Sequence, residues 1–385
     1  MVAKAVCSPY QRKVLRGFHK MGAARSTDTK QGLNRRSLAI DDPTLLPGRE
    51  SFVRLVEPYR KQIKAYCYRM TGSLHEAEDL TQEVFLRAWR SFDEYEGLSS
   101  VKTWLFRIAT HACIDALRQR RRLRRILPQS EFAPARDRPK GEPPGDISWV
   151  EPFPDSEIET LPDDAPGPDA RYEGREAVRL AFVAAIQYLP PRQRALLLLV
   201  DVLGWSAKEA VSLVGGTAAS VNSALQRARS TLARRYAPNV PIEPLRFQDD
   251  QNMLLDRYVR AWEGKDLEGL VALLKEEATY TMPPWRHWYL GRDAIRNFFG
   301  AVWPQYGRFR LLPTRANAQP AFALYVEGKN GKWSAHSLQL LEIDGEHIAG
   351  FTLFMRPLGP ALFPAFGLPD DLANAPAGER RHHSA

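Results

Sequence analysis

The sequence predicts a multidomain chain of two all-α domains followed by an α+β domain. Three observations carry this. Apolar residues recur at helical spacing through residues 48–127 and again through 172–237. Between them, residues 128–170 hold ten Pro and eleven Asp or Glu, a composition that buries no core and reads as linker. From about residue 248 two or three helical patterns give way to alternating, turn-punctuated runs that read as strands. The boundaries follow: a basic tail 1–47, a helical domain 48–127, an acidic Pro-rich linker 128–171, a second helical domain 172–237, an α+β domain 248–357, and a tail 358–385.

Composition narrows the class. The chain has 385 residues, a net charge of +9 and a pI near 9.4, which suits a polyanionic partner. Cys7, Cys67 and Cys113 lack metal-ligand spacing, and their odd number argues against a disulfide framework. Neither a metal nor a cofactor is expected. No apolar run is long enough to span a bilayer, and the N-terminus lacks the apolar core of a signal peptide. The expected location is therefore the cytoplasm. The tail has nine Lys or Arg up to Arg36 against Asp28 alone, which predicts a disordered basic segment. Met21 offers an alternative translation start within it, and no dedicated function is expected there.

In the first helical domain, Phe52, Leu55, Val56, Tyr59, Ile63, Tyr66 and Cys67 form one apolar stripe. Pro58 argues against a straight helix there. Thr71-Gly72-Ser73 ends the stripe, and Ser73 with Glu76 reads as a capping box for the next helix. That helix buries Ala77, Leu80, Val84, Ala88 and Phe92. Asp79, Gln82, Glu83, Leu86 and Arg90 fall on its opposite face. An outward Leu is ordinary by itself, but one ringed by Asp79, Gln82 and Glu83 also describes a docking surface for a partner helix.

A break, Phe92 to Ser100, holds Tyr95, Glu96, Gly97, Leu98, Ser99 and Ser100. Ser99 or Ser100 can cap the following helix. An aromatic, polar loop suits unstacked bases, although an ordinary connection looks the same. The next helix shows Val101, Trp104, Leu105, Ile108 and Ala112 as its apolar face, continuing towards Ala116. It closes in RQRRRLRR, where six of the eight residues from Arg118 to Arg125 are Arg. Cations suit a helix C-terminus, but six guanidiniums in two turns call for an anion, and phosphate matches their fork geometry.

The stretches EDLTQEVFLRAWRSFDEYEG and SSVKTWLFRIATHACIDALR resemble region 2 of the sigma-70 family, specifically the small extracytoplasmic-function (ECF) sigma factors of bacterial RNA polymerase. The resemblance implies that Asp79, Gln82, Glu83, Leu86 and Arg90 dock on the clamp helices of the polymerase β′ subunit. It also implies that Glu96, Gly97, Leu98, Ser99, Ser100, Lys102, Thr103, His111, Arg118, Arg121 and Arg122 open and read the −10 promoter element. His111 departs from the family, which often has Asn there.

Within the linker, Trp149, Val150, Pro152 and Phe153 make an apolar island, WVEPFPD, which is either a stray cluster or a docking point on another domain or on polymerase. In the second helical domain Val178, Phe182, Ala185, Ile186 and Leu189 form a stripe stopped by Pro190-Pro191. The strongly apolar Arg192–Leu203 helix must be buried. Ser206 and Glu209 form a capping box, Gly215-Gly216-Thr217 a turn, and Ala218 to Arg234 the next helix. Helix, glycine turn and helix make a helix-turn-helix whose second helix enters the major groove. Small Ala218, Ala219 and Ser220 permit close approach. Ser220, Asn222, Ser223, Gln226 and Arg227 reach bases or phosphates, and Arg229 and Arg234 hold the backbone. LPPRQRALLLLVDVLGWSAKEAVSLVGGTAASVNSALQRARSTL resembles sigma region 4, the −35 reader that also contacts the polymerase β flap.

In the last domain, Met253–Trp262, Leu267–Leu274 and Ala294–Val302 read as helices. Phe309–Leu312, Ala321–Glu327, Ser334–Ile343 and His347–Met355 read as strands, giving a sheet curled around helices. This resembles the SnoaL-like α+β cone, which carries a pocket. Trp285, His287, Trp288 and Tyr289 of TMPPWRHWYLGR, with His336, are its candidate lining. No acid and base pair stands at interpretable spacing, so no catalytic residue is assigned and no enzyme activity is expected. In the tail, Phe363 and Phe366 are expected to pack back.

The reading is an ECF-type sigma factor that binds core RNA polymerase and promoter DNA, with a SnoaL-like domain regulating it in cis through a small-molecule ligand or an intramolecular contact. The alternatives are a stand-alone, ligand-responsive helix-turn-helix regulator, and a cyclase or isomerase relative tethered to a DNA-binding module.

Overall fold

Glycine at 72 ends the first long helix for a physical reason. It takes φ +71°, a left-handed cap that residues with a Cβ rarely adopt. The computed structural model describes residues 49–119, 124–158, 177–236 and 248–372. The basic tail, Cys7, Arg121, Arg122, residues 159–176 of the linker and the chain beyond 372 lie outside the described residues. The rest forms two compact units.

The first unit is helical. α1 (Arg49–Val56) passes through a 3-10 turn at Glu57–Tyr59, with Pro58 in its first turn, into α2 (Arg60–Thr71). α3 (Leu74–Arg90) and α4 (Val101–Gln119) complete a bundle. The α3 core face is the expected one, since Ala77, Val84 and Ala88 are fully buried, while Leu80 and Phe92 are half-buried. On α4 the buried stripe is rotated from the expected one. Leu105, Phe106, Ala109, Ala112 and Cys113 form it, whereas Val101, Trp104 and Ile108 are only half-buried. Trp104 stacks on Tyr95, at 4.8 Å and 27°, which accounts for an aromatic at the edge of the core. The Cys67 and Cys113 sulfurs face each other across α2 and α4 at 3.6 Å.

Ser73 does accept from the Glu76 N–H, but the reciprocal half of the expected capping box is absent. The Glu76 carboxylate pairs with Arg125 instead. A linker residue takes over the helix start: Glu151 Oε2 accepts from Ser73 Oγ at 2.8 Å and from the Leu74 N–H at 2.7 Å. An anion at a helix N-terminus meets its unpaired N–H groups and its dipole. Phe153 is fully buried and stacks on Tyr68 at 4.5 Å. Val150 to Phe153 of the apolar island are thus a packing element of this unit, whereas Trp149 bridges to Ile126 and belongs to the second unit.

α5 (Leu180–Ile186), α6 (Pro191–Leu197), α7 (Ala207–Val214) and α8 (Ala218–Arg235) form the second bundle of the same unit. α6 runs into a five-residue π turn, Leu198–Val202. Ser206 and Glu209 make the full capping box expected. Leu196, Val200, Ala210, Val221, Ala224 and Leu225 form the local core that sets α7 against α8. Polar groups join the two bundles. Arg194, fully buried, donates to Met70 O, to Gln187 Oε1 at 2.5 Å and to Gln187 O at 2.8 Å. Arg69 Nε donates to Ala177 O at 3.2 Å, and Gln187 Nε2 donates to Arg69 O at 3.1 Å.

The second unit is a curled mixed sheet with its longer helices on one face. α9 (Gln248–Glu263) and α10 (Leu267–Ala272) lead into β1 (Leu274–Thr281), β2 (Trp288–Leu290), α11 (Arg292–Val302) and then β3 (Phe309–Ala316), β4 (Gln319–Glu327), β5 (Trp333–Asp344) and β6 (His347–Phe354). The order is β2-β1-β6-β5-β4-β3, with β1 and β6 parallel and the other neighbours on this path antiparallel. The helix expected over 267–274 stops at Ala272, and β1 and β2 are two strands that the sequence reading lacked. The register of β1 shifts between Leu274 and Thr279, which breaks the period-two pattern by which a strand is recognised. The core is aromatic, with Tyr258, Trp262, Tyr280, Phe298, Phe299, Trp303 and Phe351 at its centre. On the opposite face of the sheet a helix at Leu358–Leu362 and a 3-10 turn at Phe363–Phe366 cover Tyr325. Phe363 is fully buried there, while Phe366 is half-buried. β7 (Asp371–Leu372) pairs with the start of β5.

Candidate functional site

Three surfaces emerge. The first is the outer face of α3. Leu86 is 51% exposed, with Asp79, Gln82 and Arg90 exposed around it and Glu83 half-exposed, paired with Arg87 at 2.7 Å. Trp89, which the sequence reading did not single out, is 43% exposed beside them and meets Phe52 edge-on at 5.1 Å. Burying a Leu side chain is worth roughly 1.5–3 kcal/mol, so Leu86 and Trp89 together leave a substantial apolar area uncovered.

The second surface is the loop and N-terminal part of α4. Ser100 caps α4, its Oγ accepting from the Thr103 N–H at 3.1 Å and lying 2.8 Å from Thr103 Oγ1. Both hydroxyls are therefore committed to the cap. Tyr95 OH donates to Ser99 O and fixes the loop. Leu98 stands 89% exposed, next to Gly97 at φ +69° and exposed Glu96. Lys102 is half-exposed, and His111 and Arg118 are exposed on α4. The arginine block divides. Arg118 reaches Asp115 at 3.8 Å. Arg124 and Arg125 turn into the fold: Arg124 lies over the Tyr188 ring at 4.0 Å, and Arg125 pairs with Glu76 and reaches Glu151 at 3.8 Å. Burial lowers the Arg125 pKa, and Glu151 opposes that shift.

The third surface is the start of α8. Ala218, Ala219, Ser220, Asn222, Ser223, Gln226, Arg227 and Arg234 are exposed. Ser220 and Thr217 form a capping box, Ser220 Oγ accepting from the Thr217 N–H at 3.0 Å, so the Ser220 hydroxyl is occupied by the helix start. Arg229 is a correction. Its guanidinium forks onto the buried Asp201 carboxylate, Nε to Oδ2 at 2.9 Å and Nη2 to Oδ1 at 2.5 Å. It anchors α8 to the π turn and has little left to offer a phosphate. Asp201 lies 28 residues away in sequence, so spacing on α8 gave no sign of it.

The cone domain contains a cavity of about 820 Å³. Trp285, Tyr289 and His336 line it, as expected, but His287 and Trp288 do not. β2 alternates: Tyr289 faces the cavity, while the Trp288 indole turns the other way and donates to Phe132 O at 2.8 Å. His287 packs edge-on near Trp285 at 6.5 Å, and burial lowers its pKa. His336 is part-exposed to the cavity but enclosed by protein, which, with Arg356 close by, pushes its pKa down to about 4. Its ring meets Tyr306 edge-on at 5.1 Å. The sequence reading missed the deeper aromatic wall, Phe298, Phe299 and Phe309 among others.

A helix-turn-helix with an exposed polar face, a helical bundle with an outward Leu86 and a cone domain with a partly open cavity define a DNA-binding transcription protein with an appended pocket domain. Residues 55–123 match sigma-70 region 2, residues 179–232 sigma-70 region 4, and residues 255–350 the SnoaL-like domain. The chain is 44% identical over 338 residues to the ECF RNA polymerase sigma factor SigG of Mycobacterium tuberculosis, covering 84% of this chain and 85% of that protein. It is 30% identical over 194 residues to the ECF sigma factor SigE of Mycolicibacterium smegmatis, 50% of this chain and 63% of that one. The crystal structure of the M. tuberculosis ECF sigma factor SigJ shares the fold, with a TM-score of 0.51 at 20% identity over 83% of this chain and 99% of that one. The chain belongs to the ECF RNA polymerase sigma factors. Among the described residues no helix is long and apolar enough to cross a membrane.

Proposed function

We propose that this sigma factor docks core RNA polymerase through the α3 face, with Leu86 as the apolar anchor received by the clamp helices of β′ and region 4 received by the β flap. The exposed Leu86 in its polar ring is the observation that carries this. The Glu96–Thr103 loop, His111 and Arg118 take the unstacked −10 strand, with Leu98 as a wedge or stacking contact. Asn222, Ser223, Gln226 and Arg227 read the −35 duplex from the major groove. Run-off transcription with purified bacterial core polymerase on a promoter library tests the reading. The full chain gives specific transcripts, and Leu86→Arg loses polymerase affinity at least tenfold. Specific duplex binding with no polymerase binding would instead make the chain a stand-alone regulator.

The cone domain acts in cis as the receptor for a small molecule. An 820 Å³ cavity lies within the range of ligand sites. We assign it binding and no turnover: the His336 imidazole, held neutral by burial, meets the Ser337 hydroxyl at 3.3 Å and the Tyr306 ring edge-on, and among the described residues no carboxylate pairs with it. Stopping the chain near Val240 changes promoter output; an unchanged output removes the regulatory role.

A further inference from the structure

We propose that the segment joining region 2 to region 4 is one wall of the cone-domain binding site, and that an aromatic molecule carrying an anionic group fastens that segment to the cone domain. The proposal rests on the reading of the cavity as a ligand site.

The cavity has two chemically different walls. The interior is aromatic, with Trp285, Tyr289, Phe298 and Tyr306, and His336 adds one neutral ring nitrogen for a hydrogen bond. Such a wall takes flat rings by stacking and edge contact. The other wall is Ala135 to Lys140 of the linker. It brings Arg136, Arg138 and Lys140 against Asp137 alone, and among the described residues none of the three cations is in an ion pair. An excess of guanidinium and ammonium at the mouth of an apolar chamber selects a carboxylate, sulfonate or phosphate on an aromatic body.

The segment is held, but slenderly. The Ala135 N–H donates to Trp288 O at 2.7 Å, Trp288 Nε1 donates to Phe132 O at 2.8 Å, and Tyr289 OH donates to Asp137 O at 2.9 Å. These bonds lay the segment along β2, an edge strand of the sheet. Most of residues 132–140 is solvent-exposed, so apolar burial contributes little to keeping it there. A ligand touching both walls supplies what is lacking.

The same segment is the covalent connection between region 2 and region 4. The chain has 51 residues between Arg125 and Ala177, which reach at most about 170 Å when extended. Holding residues 126–149 to the cone domain removes 24 of them from that reach. Ligand binding thereby shortens the leash on which the two DNA-reading modules separate.

The test uses the full chain and two dyes of one shape. 8-Anilinonaphthalene-1-sulfonate carries the anion, and N-phenyl-1-naphthylamine lacks it. We expect one sulfonate dye per chain, with hydrogen exchange across residues 132–140 slowed at least fivefold on binding. The triple variant Arg136→Ala, Arg138→Ala, Lys140→Ala, all at exposed positions, weakens the sulfonate at least fivefold and leaves the neutral dye within twofold. Ala294→Trp fills the cavity and blocks both dyes; Asn297→Trp does so from an exposed position if the first variant does not fold. An unchanged sulfonate affinity in the triple variant, or unslowed exchange at 132–140 while the cavity-filling variants still block, overturns the linker wall and leaves the cavity site standing. If neither dye binds, or binding ignores both tryptophans, the cavity reading fails and the proposal with it.

Discussion

In the helical unit the deep polar groups include ions: Arg69, Arg194, Asp201, Glu76 and Glu151 are all buried. In the cone domain the buried polar groups are neutral: Thr281, Asn317, Gln319, Ser337 and Gln339. Burying an ion is costly unless it is paired, and an isosteric apolar core is often as stable. The ions of the helical unit therefore contribute more to specifying how its parts join than to holding them. Arg194 illustrates this. It bridges the two bundles through carbonyl and amide oxygens, and burial pushes its pKa down to about 9. A join made of such groups is readily rehydrated when its halves part. The aromatic core of the cone domain has no comparable seam.

The largest expected effect falls on the Asp201–Arg229 pair. Asp201→Ala strands a half-buried guanidinium and should cost about 3–5 kcal/mol, read as a lower denaturant midpoint for the helical unit by hydrogen exchange. Replacing both residues with Leu and Met should recover most of it. If the double variant stays as unstable as the single one, the contrast between the units is wrong.

The cone domain has its own pH dependence through His336. Its folded pKa of about 4 lies below the ordinary 6.5, so the unfolded chain binds the proton first. The stability is full above pH 6.5 and falls as the pH drops towards 4, by up to about 3 kcal/mol. Thermal melts of the cone domain between these values should show the slope, and His336→Asn should flatten it.

A smaller effect separates neutral from ionic burial. Tyr258 OH donates to Gln339 Oε1 at 2.7 Å inside the cone core. Tyr258→Phe leaves that amide oxygen without its donor at a cost of about 1–3 kcal/mol, detectable in the urea midpoint and independent of pH. Smallest of all, Ser73→Ala removes one cap from α3, for about 1 kcal/mol. Glu151 still holds the Leu74 N–H in that variant, so Glu151→Gln on top of Ser73→Ala should cost more than the two changes separately.

The sequence made legible whatever depends on local period. Leu86 could be placed outward because α3 keeps one helical stripe from Ala77 to Ala88. The turn, cap and small residues of α7 and α8 marked the helix-turn-helix. Tertiary partners were not legible. Arg229 carries the same charge as Arg227, and only the fold brings Asp201 to one of them. Arg124 and Arg125 belong to a block that looks uniform, yet Tyr188, Glu76 and Glu151 draw both inward. β1 disguised itself with a register shift, and Trp288 was drawn into the pocket reading because an aromatic run does not say which of its members face the same way.

Cys67 and Cys113 sit sealed between α2 and α4, sulfur to sulfur, with no exposed surface. The hydrogen bond to the Cys67 thiol, and then burial, raise the Cys113 pKa, and a protonated, enclosed thiol does not react with alkylating reagents. Each modification event at these positions must therefore wait for region 2 to open. The pair is a built-in stopwatch: peptide-resolved alkylation rates at Cys67 and Cys113 count openings of the bundle, alone, with core polymerase, and with promoter DNA, without a label being added to the protein.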